Sequence, residues 1–317
     1  MKPYSQLPRP FFVLAPMDDV TDTVFRQIIA TTARPDLFFT EFVNVDGLQS
    51  PGRPHLMKKI RVDSQTERPI VAQIWGKDPE KYYKTAKELV EMGFAGIDIN
   101  MGCPAKPVIK NGCCSALIEN RPLALEIIKA TQEGAGGKVP VSVKTRLGFR
   151  QVDLTWHELL LQQNLDMLTV HGRTQREMSA VPAHWDLIGE VVKLRDKLAP
   201  NTLMVGNGDV MNRAHGLTLI EQYKLDGIMI GRGIFHDPYA FAEQSPWLDC
   251  TREQRIDLFK RHVELFQKTW QKSDHAIVTL NKFCKIYINH FDGAKELREH
   301  LMNAQSAEEL LRILAAA

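Results

Sequence analysis

The apolar residues of the chain occur in short continuous runs, separated by segments whose apolar residues recur with helical spacing. Eight runs have the length of a buried strand, and their apolar residues are consecutive rather than alternating. The predicted strands cover residues 11–14, 37–43, 70–75, 96–100, 139–144, 167–171, 203–208 and 226–233. The predicted helices between them cover residues 21–29, 78–92, 122–132, 156–163, 185–198 and 212–223. Strands that are covered on both faces give such continuous runs, so the pattern predicts parallel strands flanked by helices.

Eight strands that alternate with helices favour one closed architecture. We predict an α/β fold, a (β/α)8 TIM barrel. The alternative is an open doubly wound sheet, which would have a Gly-x-Gly-x-x-Gly turn after an early strand, and the sequence has no such turn. Residues 46–69 are rich in Pro, Gly and Asp, and we predict a loop there.

The pattern changes after Pro246, where no further strand is predicted. Amphipathic helices are predicted at residues 252–272, 276–291, 294–302 and 307–315. We therefore divide the chain into a barrel domain, residues 1–245, and a small all-helical C-terminal domain, residues 246–317.

Composition narrows the setting but not the activity. The chain has 317 residues, five cysteines and a net charge of +2. The charge is too small to indicate a nucleic-acid partner and does not exclude one. The cysteines lack the paired spacing of zinc ligands, and no His-Glu-x-x-His motif is present, so we expect no metal. We see neither a signal peptide nor a membrane span, and we expect a reduced, cytoplasmic setting.

The carboxyl ends of barrel strands are where TIM-barrel active sites lie, so the residues there are candidates. The end of the 96–100 strand presents Asn100 and Cys103, and Pro104 fixes the backbone after the cysteine. Such a thiol suits a proton donor or a nucleophile. The alternative is a buried structural thiol, which is the commoner role of a free cysteine.

The loops after the last two predicted strands have the composition of a phosphate site. They read Gly206-Asn207-Gly208-Asp209 and Gly231-Arg232-Gly233. Barrels often bind phosphate at these two loops through backbone N–H groups, and Arg232 adds a positive charge. The alternative is that both are only tight turns.

Three polar strand ends suit the edge of a flavin. Lys144 and His171 can donate to its electron-rich side, and Gln73 can hydrogen-bond its polar edge. The alternative for each residue alone is a polar cap at the barrel mouth. Cys103 with His171 could also belong to a cysteine hydrolase, but a hydrolase would not need the phosphate loops. Together the residues favour a phosphorylated planar cofactor.

A series of motifs along the whole barrel resembles the tRNA-dihydrouridine synthases. The matching segments are 15–17, 20–22, 40–42, Gln73, 98–104, 143–148, 171–174, 206–209 and 230–233. The resemblance implies FMN as cofactor, NADPH as reductant and tRNA as substrate, in which the C5=C6 bond of one uridine is reduced. It also implies that hydride goes from reduced FMN to C6 and a proton from Cys103 to C5. We expect a monomer.

The resemblance assigns roles to individual residues. Those that would hold FMN are Pro16, Met17, Asp18, Gln73, Lys144, His171, Asn207, Gly208, Asp209, Gly231 and Arg232. Those that would contact the uridine or the tRNA are Asn44, Asn100, Lys144, Arg146, Arg173, Lys282 and Lys285. A thiol donates a proton only while it is protonated, so we expect that the neighbouring cations do not lower the pKa of Cys103 far below its ordinary value of about 8.5.

The chain departs from the family pattern after Arg173-Thr174, where Met178 and Ser179 stand, and at Cys113 and Cys114. Two other functions stay open from the residues. One is an FMN enzyme that reduces a free pyrimidine, which would not need the C-terminal helices. The other is a tRNA-binding module whose binding would survive loss of Cys103.

Overall fold

The computed structural model describes residues 3–62, 65–270 and 275–317. All of its named strands belong to one parallel sheet. The strands are β1 (Phe11–Leu14), β2 (Phe38–Phe39), β3 (Val43–Asn44), β4 (Ile70–Trp75), β5 (Gly96–Met101), β6 (Val141–Arg146), β7 (Met167–His171), β8 (Leu203–Asn207) and β9 (Gly227–Ile230). Their order, β1-β9-β8-β7-β6-β5-β4-β2 with β3 also on β4, is that of a barrel.

The barrel is completed between β1 and the residue that precedes β2. Val13 forms a parallel bridge with Leu37. The Leu14 N–H donates to the Leu37 carbonyl and the Leu37 N–H donates to the Phe12 carbonyl, each at 3.3 Å. The predicted TIM barrel is therefore confirmed, with the described helices around it.

The second predicted strand, 37–43, is interrupted. Its two pieces, β2 and β3, both pair with β4. Between them the Thr40 hydroxyl accepts the Gln73 N–H at 3.1 Å, in place of a backbone carbonyl. The Thr40 side chain thus replaces a backbone acceptor between the two strands, and the apolar pattern of the sequence does not predict this replacement.

The strands carry apolar residues on both faces. Phe11, Val13 and Phe39 belong to a cluster that fills the barrel, whereas Phe12 and Leu14 pack in the larger core beneath the helices. Tyr4, in the turn Pro3–Gln6, joins the barrel cluster from the amino-terminal end of the strands. Burial on both faces explains why the sequence showed continuous apolar runs.

The barrel helices begin where the sequence offers a capping side chain. Asp22, Asp78, Asn120, Asp153 and Asn212 each accept a backbone N–H from the first turn. The helices are α1 (Thr23–Thr32), α2 (Val45–Leu48), α3 (Arg53–Met57), α4 (Pro79–Glu91), α5 (Lys106–Lys110), α6 (Arg121–Ala135), α7 (Leu154–Leu161), α8 (Trp185–Leu198) and α9 (Arg213–Tyr223).

The predicted loop at 46–69 was wrong in part, because it contains α2, α3 and two short 3-10 turns. Asn44 caps α2 by accepting the Gly47 N–H, and Pro54 stands in the first turn of α3. These helices are too short to show a hydrophobic period. Helix α5 and the 3-10 turn Cys114–Ile118, both after Cys103, were missed for the same reason.

The described residues after the barrel form four α-helices, α10 (Arg252–Thr269), α11 (Asn281–Tyr287), α12 (Ala294–Asn303) and α13 (Ala307–Ala316). They confirm the helical C-terminal region. The predicted helix at 276–291 was too long. Residues Ile277–Leu280 are a 3-10 turn, and the left-handed conformation of His290 and Gly293 lies beyond the end of α11. The predicted end of the preceding helix, residues 271–272, lies outside the described residues.

The C-terminal helices pack on the first barrel helix through aromatic side chains. Phe25 of α1 lies 5.1 Å from the ring of Phe283 and 6.0 Å from that of His262. The Trp270 indole N–H donates to the Asp22 carboxylate at 3.1 Å. These contacts fix α11 beside the carboxyl-terminal end of β1. None of the described helices has the length and apolarity needed to cross a membrane.

Candidate active site

A cavity of about 530 Å³ opens at the carboxyl ends of the strands. Its volume lies in the range of cofactor pockets, roughly 300–1,000 Å³. The lining residues are Ala15, Pro16, Met17, Lys144, Arg146, His171, Asn207, Gly208, Asp209, Val210, Met211, Gly231, Arg232, Gly233 and His236. Most of the residues assigned to FMN by resemblance therefore share one cavity.

The Cys103 turn leaves β5 beside this cavity. The Asn100 Oδ1 accepts the backbone N–H groups of Gly102 at 3.0 Å and Cys103 at 2.9 Å. The Ser115 hydroxyl donates to the Cys103 carbonyl at 2.8 Å. The turn is thus fixed from both sides, and Cys103 keeps a partly exposed side chain.

A chain of buried polar side chains continues from Asn100 into the barrel. The Asn100 Nδ2 donates to the Gln73 Oε1 at 3.0 Å, and the Gln73 Nε2 donates to the Asp98 Oδ2 at 2.7 Å. The Ser142 hydroxyl donates to the Asp98 Oδ1 at 2.6 Å. Burial raises the pKa of Asp98 to about 6, against the effect of these hydrogen bonds and of Lys144.

Two cations from β6 face the cavity. Burial, assisted by the nearby Arg146 charge, lowers the pKa of Lys144 to about 8, against the charges of Asp98 and Cys103. Arg146 is held in place, because its Nε donates to the Gly102 carbonyl at 2.7 Å and its Nη1 donates to the Thr174 carbonyl at 3.0 Å. Arg146 therefore joins the Cys103 turn to the loop after β7.

His171 ends β7 inside the cavity. Burial lowers its pKa well below the ordinary value, and the charges of Arg146 and Lys144 act in the same direction. Its ring is therefore neutral. The His171 Nδ1 is buried, and it has no hydrogen-bond partner within the described part of the chain. The His171 ring therefore lines the cavity while its Nδ1 is enclosed by the surrounding residues.

Asp209 lies between two arginines at the far side of the cavity. Its Oδ1 accepts from Arg232 at 3.0 Å, and its Oδ2 accepts from Arg173. Burial would raise the pKa of Asp209, but the hydrogen bonds from Arg173 and the Ala183 N–H, together with the charges of Arg173 and Arg232, lower it on balance. The neighbouring Gly208 has φ +126°, and a Cβ there would lie 2.8 Å from that of Ala183. The positive φ and the contact with Ala183 therefore both favour glycine at this position.

The thiol of Cys103 ionises more readily than an ordinary thiol. Its pKa is lowered to about 6, chiefly by a hydrogen bond from the Cys114 side chain. Burial acts in the opposite direction, and the Ala105 backbone N–H and the Arg146 charge assist the lowering. The pKa lies well below 8.5 because the 3-10 turn Cys114–Ile118 folds back against Cys103, whereas the neighbouring cation Arg146 is a lesser cause. The pKa of the fully buried Cys114 is raised well above its ordinary value, first by burial.

Several residues assigned by resemblance lie outside the cavity wall. Gln73 is fully buried in the polar chain described above. Asn44 caps α2, and Asp18 pairs with Lys59. Arg173 is buried and held by Asp209 and the Val181 carbonyl.

The two lysines assigned to tRNA both lie on α11. Lys282 donates to the Asp19 carbonyl at the barrel mouth, and Lys285 is exposed. The surface of α11 that carries them therefore continues from the rim of the cavity.

Asp18, Asp19 and Glu41 form an acidic group whose carboxylate oxygens lie within 4.8 Å of one another. The Lys59 ammonium contacts all three carboxylates. Burial raises the pKa of Glu41 to about 7, despite this lysine. The Lys59 ammonium thus offsets part of the negative charge of this group.

The sequence did not single out Met211 and His236, which line the cavity, or Cys114, which contacts Cys103. Met211 and His236 follow the phosphate loops without a motif of their own. The adjacent cysteines at 113 and 114 were the one available signal for Cys114.

Sequence comparison decides the family. The profile of the dihydrouridine synthase family matches residues 13–317. The chain belongs to the dihydrouridine synthase family. It is 48% identical over 313 residues to a probable tRNA-dihydrouridine synthase of Staphylococcus aureus (strain COL), covering 98% of this chain and 94% of that protein. It is 47% identical over 314 residues to the probable tRNA-dihydrouridine synthase 2 of Bacillus subtilis (strain 168), covering 98% and 95%. The resemblance stated from the motifs is thus confirmed, and the chain is an oxidoreductase.

Solved structures resemble this synthase family member in fold. Morphinone reductase matches with a TM-score of 0.55 and 12% sequence identity, over 74% of this chain and 85% of that one. Histamine dehydrogenase from Rhizobium sp. 4-9 matches with a TM-score of 0.53 and 12% identity, over 80% and 48%. At this identity the likeness supports the barrel architecture alone.

Proposed function

We propose that this dihydrouridine synthase binds FMN in the cavity at the barrel mouth, takes electrons from NADPH and reduces one uridine of tRNA to 5,6-dihydrouridine. The observation that carries the proposal is that the Cys103 turn lies beside a cavity lined by Lys144, His171 and Arg232. The names of the relatives support tRNA as the substrate.

The cavity residues fit FMN by their chemistry. Arg232 and the backbone at Gly208 would hold the phosphate, since both present donors and the glycine permits close approach. The His171 ring and the Lys144 ammonium, which both line the cavity, would donate to the flavin ring. Bound FMN, once reduced by NADPH, would supply the hydride that goes to C6 of the uracil.

The residues of the chain would then handle the negative charge and the proton. Lys144 and Arg146 stabilise charge that develops on the uracil, because both are cations held in a partly desolvated site. Cys103 donates its thiol proton to C5 as a general acid. A general acid works best when its pKa lies near the working pH, so the lowered pKa of Cys103 makes a stronger donor but a smaller protonated fraction.

Access of the base requires that it leave the tRNA fold, since a stacked uridine cannot reach a barrel mouth. Lys282 and Lys285 on α11 would contact the phosphates of the same tRNA. Recognition of this kind depends on RNA shape and charge more than on base sequence.

The test is reconstitution with tRNA from a strain that lacks this gene. Purified protein, FMN and NADPH are incubated with that tRNA, and its nucleosides are analysed by mass spectrometry. We expect one position to gain two hydrogens. Reduction of free uracil or uridine monophosphate at a comparable rate, with tRNA unchanged, would replace this proposal with the small-pyrimidine alternative.

A further inference from the structure

The polar chain behind the Cys103 turn contains two amides, and an amide can be placed in either of two orientations. Gln73 lies between Asp98 and Asn100, and all three side chains are at least nine-tenths buried. If the Gln73 amide turned over, its Nε2 would face the Asn100 Nδ2, and two donors would meet. Asn100 would then have to turn as well, and its Oδ1 would leave the N–H groups of Gly102 and Cys103.

Above its raised pKa of about 6, Asp98 removes this ambiguity, because an ionised carboxylate accepts hydrogen bonds and cannot donate them. Its Oδ2 lies 2.7 Å from the Gln73 Nε2, so only one orientation of the Gln73 amide is satisfied there. Its Oδ1 is held by the Ser142 hydroxyl at 2.6 Å, and Tyr4 lies behind Ser142 at 3.3 Å. The chain of polar side chains is therefore anchored at Asp98, deep in the barrel, and it ends at the turn of Cys103.

We propose that Asp98 is a positioning residue that sets the amide orientations of Gln73 and Asn100 and thereby holds the turn that presents Cys103. Its effect on turnover rests on the proposed function. Its effect on the turn does not, because Cys103 can be examined in the protein without FMN.

The competing explanation is electrostatic, and it predicts that loss of Asp98 shifts the pKa of Cys103 in the opposite direction. A buried negative charge near Cys103 disfavours the thiolate, so removing the charge alone would lower the pKa of Cys103. Loss of the turn would instead raise it, because the Cys114 thiol and the Ala105 N–H would lose their alignment with the sulfur.

The variants Asp98→Leu and Asp98→Asn distinguish the positioning role of Asp98 from its electrostatic effect. In Asp98→Asn the new amide can accept from Gln73 through Oδ1 and donate to the Ser142 oxygen through Nδ2, so the orientations are kept. In Asp98→Leu the Gln73 amide has no acceptor. Protein freed of FMN is treated with iodoacetamide at a series of pH values. Alkylation of the peptide that contains Cys103 is followed by mass spectrometry, and the measured quantity is the pH midpoint of this alkylation.

We expect the midpoint to rise by about one pH unit or more in Asp98→Leu, toward the ordinary thiol value. It should stay near that of the wild type in Asp98→Asn. Tyr4→Phe is the control, because it removes a buried hydroxyl from the same row but leaves the bonds of Asp98 intact. It should lower the melting temperature without moving the midpoint. An unchanged or lowered midpoint in Asp98→Leu would overturn the proposal.

If Asp98→Leu does not fold, Asp98→Asn combined with Ser142→Ala replaces it. The amide at 98 then has no acceptor to hold its orientation, and the midpoint should rise although each single change leaves it in place. A wild-type midpoint in the double variant would refute the positioning role. Turnover with tRNA is measured alongside: wild-type protein that makes no dihydrouridine would refute the proposed function and leave the alkylation result valid.

Discussion

The Cys114 side chain interacts with the thiol of Cys103, and this interaction is the largest cause of the lowered pKa of Cys103. The two residues come together because the chain returns through α5 and places the Cys114–Ile118 turn against the end of β5. Cys114 adopts φ +53° to make this contact, a conformation that is uncommon for a residue other than glycine. The pKa of the Cys103 thiol is therefore lowered chiefly by a second thiol, that of Cys114.

Replacement of Cys114 by alanine should raise the pKa of Cys103. The thiolate loses its main donor while the opposing effect of burial remains. We expect the pH midpoint of Cys103 alkylation to move from about 6 to above 7. Cys113→Ala is the matched control, since Cys113 is an adjacent buried thiol that does not contribute to the pKa of Cys103. An equal shift in both variants would show that the effect is not specific to Cys114.

The pH dependence of reduction should follow from the same group. A general acid must be protonated, so the reaction is fast below the pKa of Cys103 and slows as pH rises through about 6. Loss of the Lys144 charge near pH 8 acts in the same direction. Single-turnover oxidation of the reduced enzyme by tRNA should therefore fall with pH, and in Cys114→Ala the falling limb should move to higher pH. A rate that rises between pH 6 and 8 would contradict a donor role for Cys103.

Cys103→Ala should separate cofactor binding from chemistry. Cys103 does not line the cavity, so the variant should retain FMN and its visible absorbance. It should form no dihydrouridine, because no other described thiol lies in the turn that Asn100 holds. Nucleoside analysis of treated tRNA is the measurement. Activity equal to that of the wild type would remove Cys103 from the mechanism.

Much of the fold could be predicted because each barrel strand is buried on both faces. Residues 70–75 and 167–171 were predicted with their observed bounds, since a short continuous apolar run is typical of a strand that is buried on both faces. The break at Thr40 could not be predicted, because it depends on one hydroxyl that accepts the Gln73 N–H. Helices α2, α3 and α5 could not be predicted either, because a single turn shows no period.

The site was predictable where strand order alone brings residues together. Lys144 and His171 end neighbouring strands, β6 and β7, and both line the cavity. The contact between Cys103 and Cys114 was not predictable, because it depends on the path of a loop. The hydrogen bonds of the Gln73 amide with Asp98 and Asn100 could not be predicted for a related reason, since the sequence does not show which side chains meet inside a barrel.

Acid should weaken the contact between the C-terminal helices and the barrel. Burial lowers the pKa of His262 to about 3 from an ordinary value of 6.5, so the folded chain keeps this ring neutral. The unfolded chain takes up a proton below pH 6.5, and stability that is present above this pH is lost as pH falls. The loss between pH 6.5 and 5 should be about 2 kcal/mol.

The variant His262→Phe should have a smaller fall in melting temperature between these two pH values, although the Tyr287 hydroxyl loses its partner at 3.0 Å. His157, whose pKa burial lowers to about 4, leaves part of the acid sensitivity in place. His300→Gln is the control, since His300 is an exposed residue of α12. A pH dependence in His262→Phe that equals that of the wild type would contradict the assignment.

Reversal of charge on α11 should weaken tRNA binding and leave the flavin chemistry intact. In Lys282→Glu with Lys285→Glu, both lysines become acidic, so two phosphate contacts are replaced by repulsion. We expect tRNA affinity to fall about tenfold or more and its dependence on salt concentration to become shallower, because fewer counterions are released. The rate at which NADPH reduces the bound FMN should not change, since neither lysine lines the cavity.

Because Lys282 also donates to the Asp19 carbonyl, Lys285→Glu alone separates phosphate contact from loss of that bond. Lys129→Glu, on an exposed part of α6, controls for net charge. If the control weakens tRNA binding as much as Lys285→Glu does, the surface of α11 is not the tRNA contact.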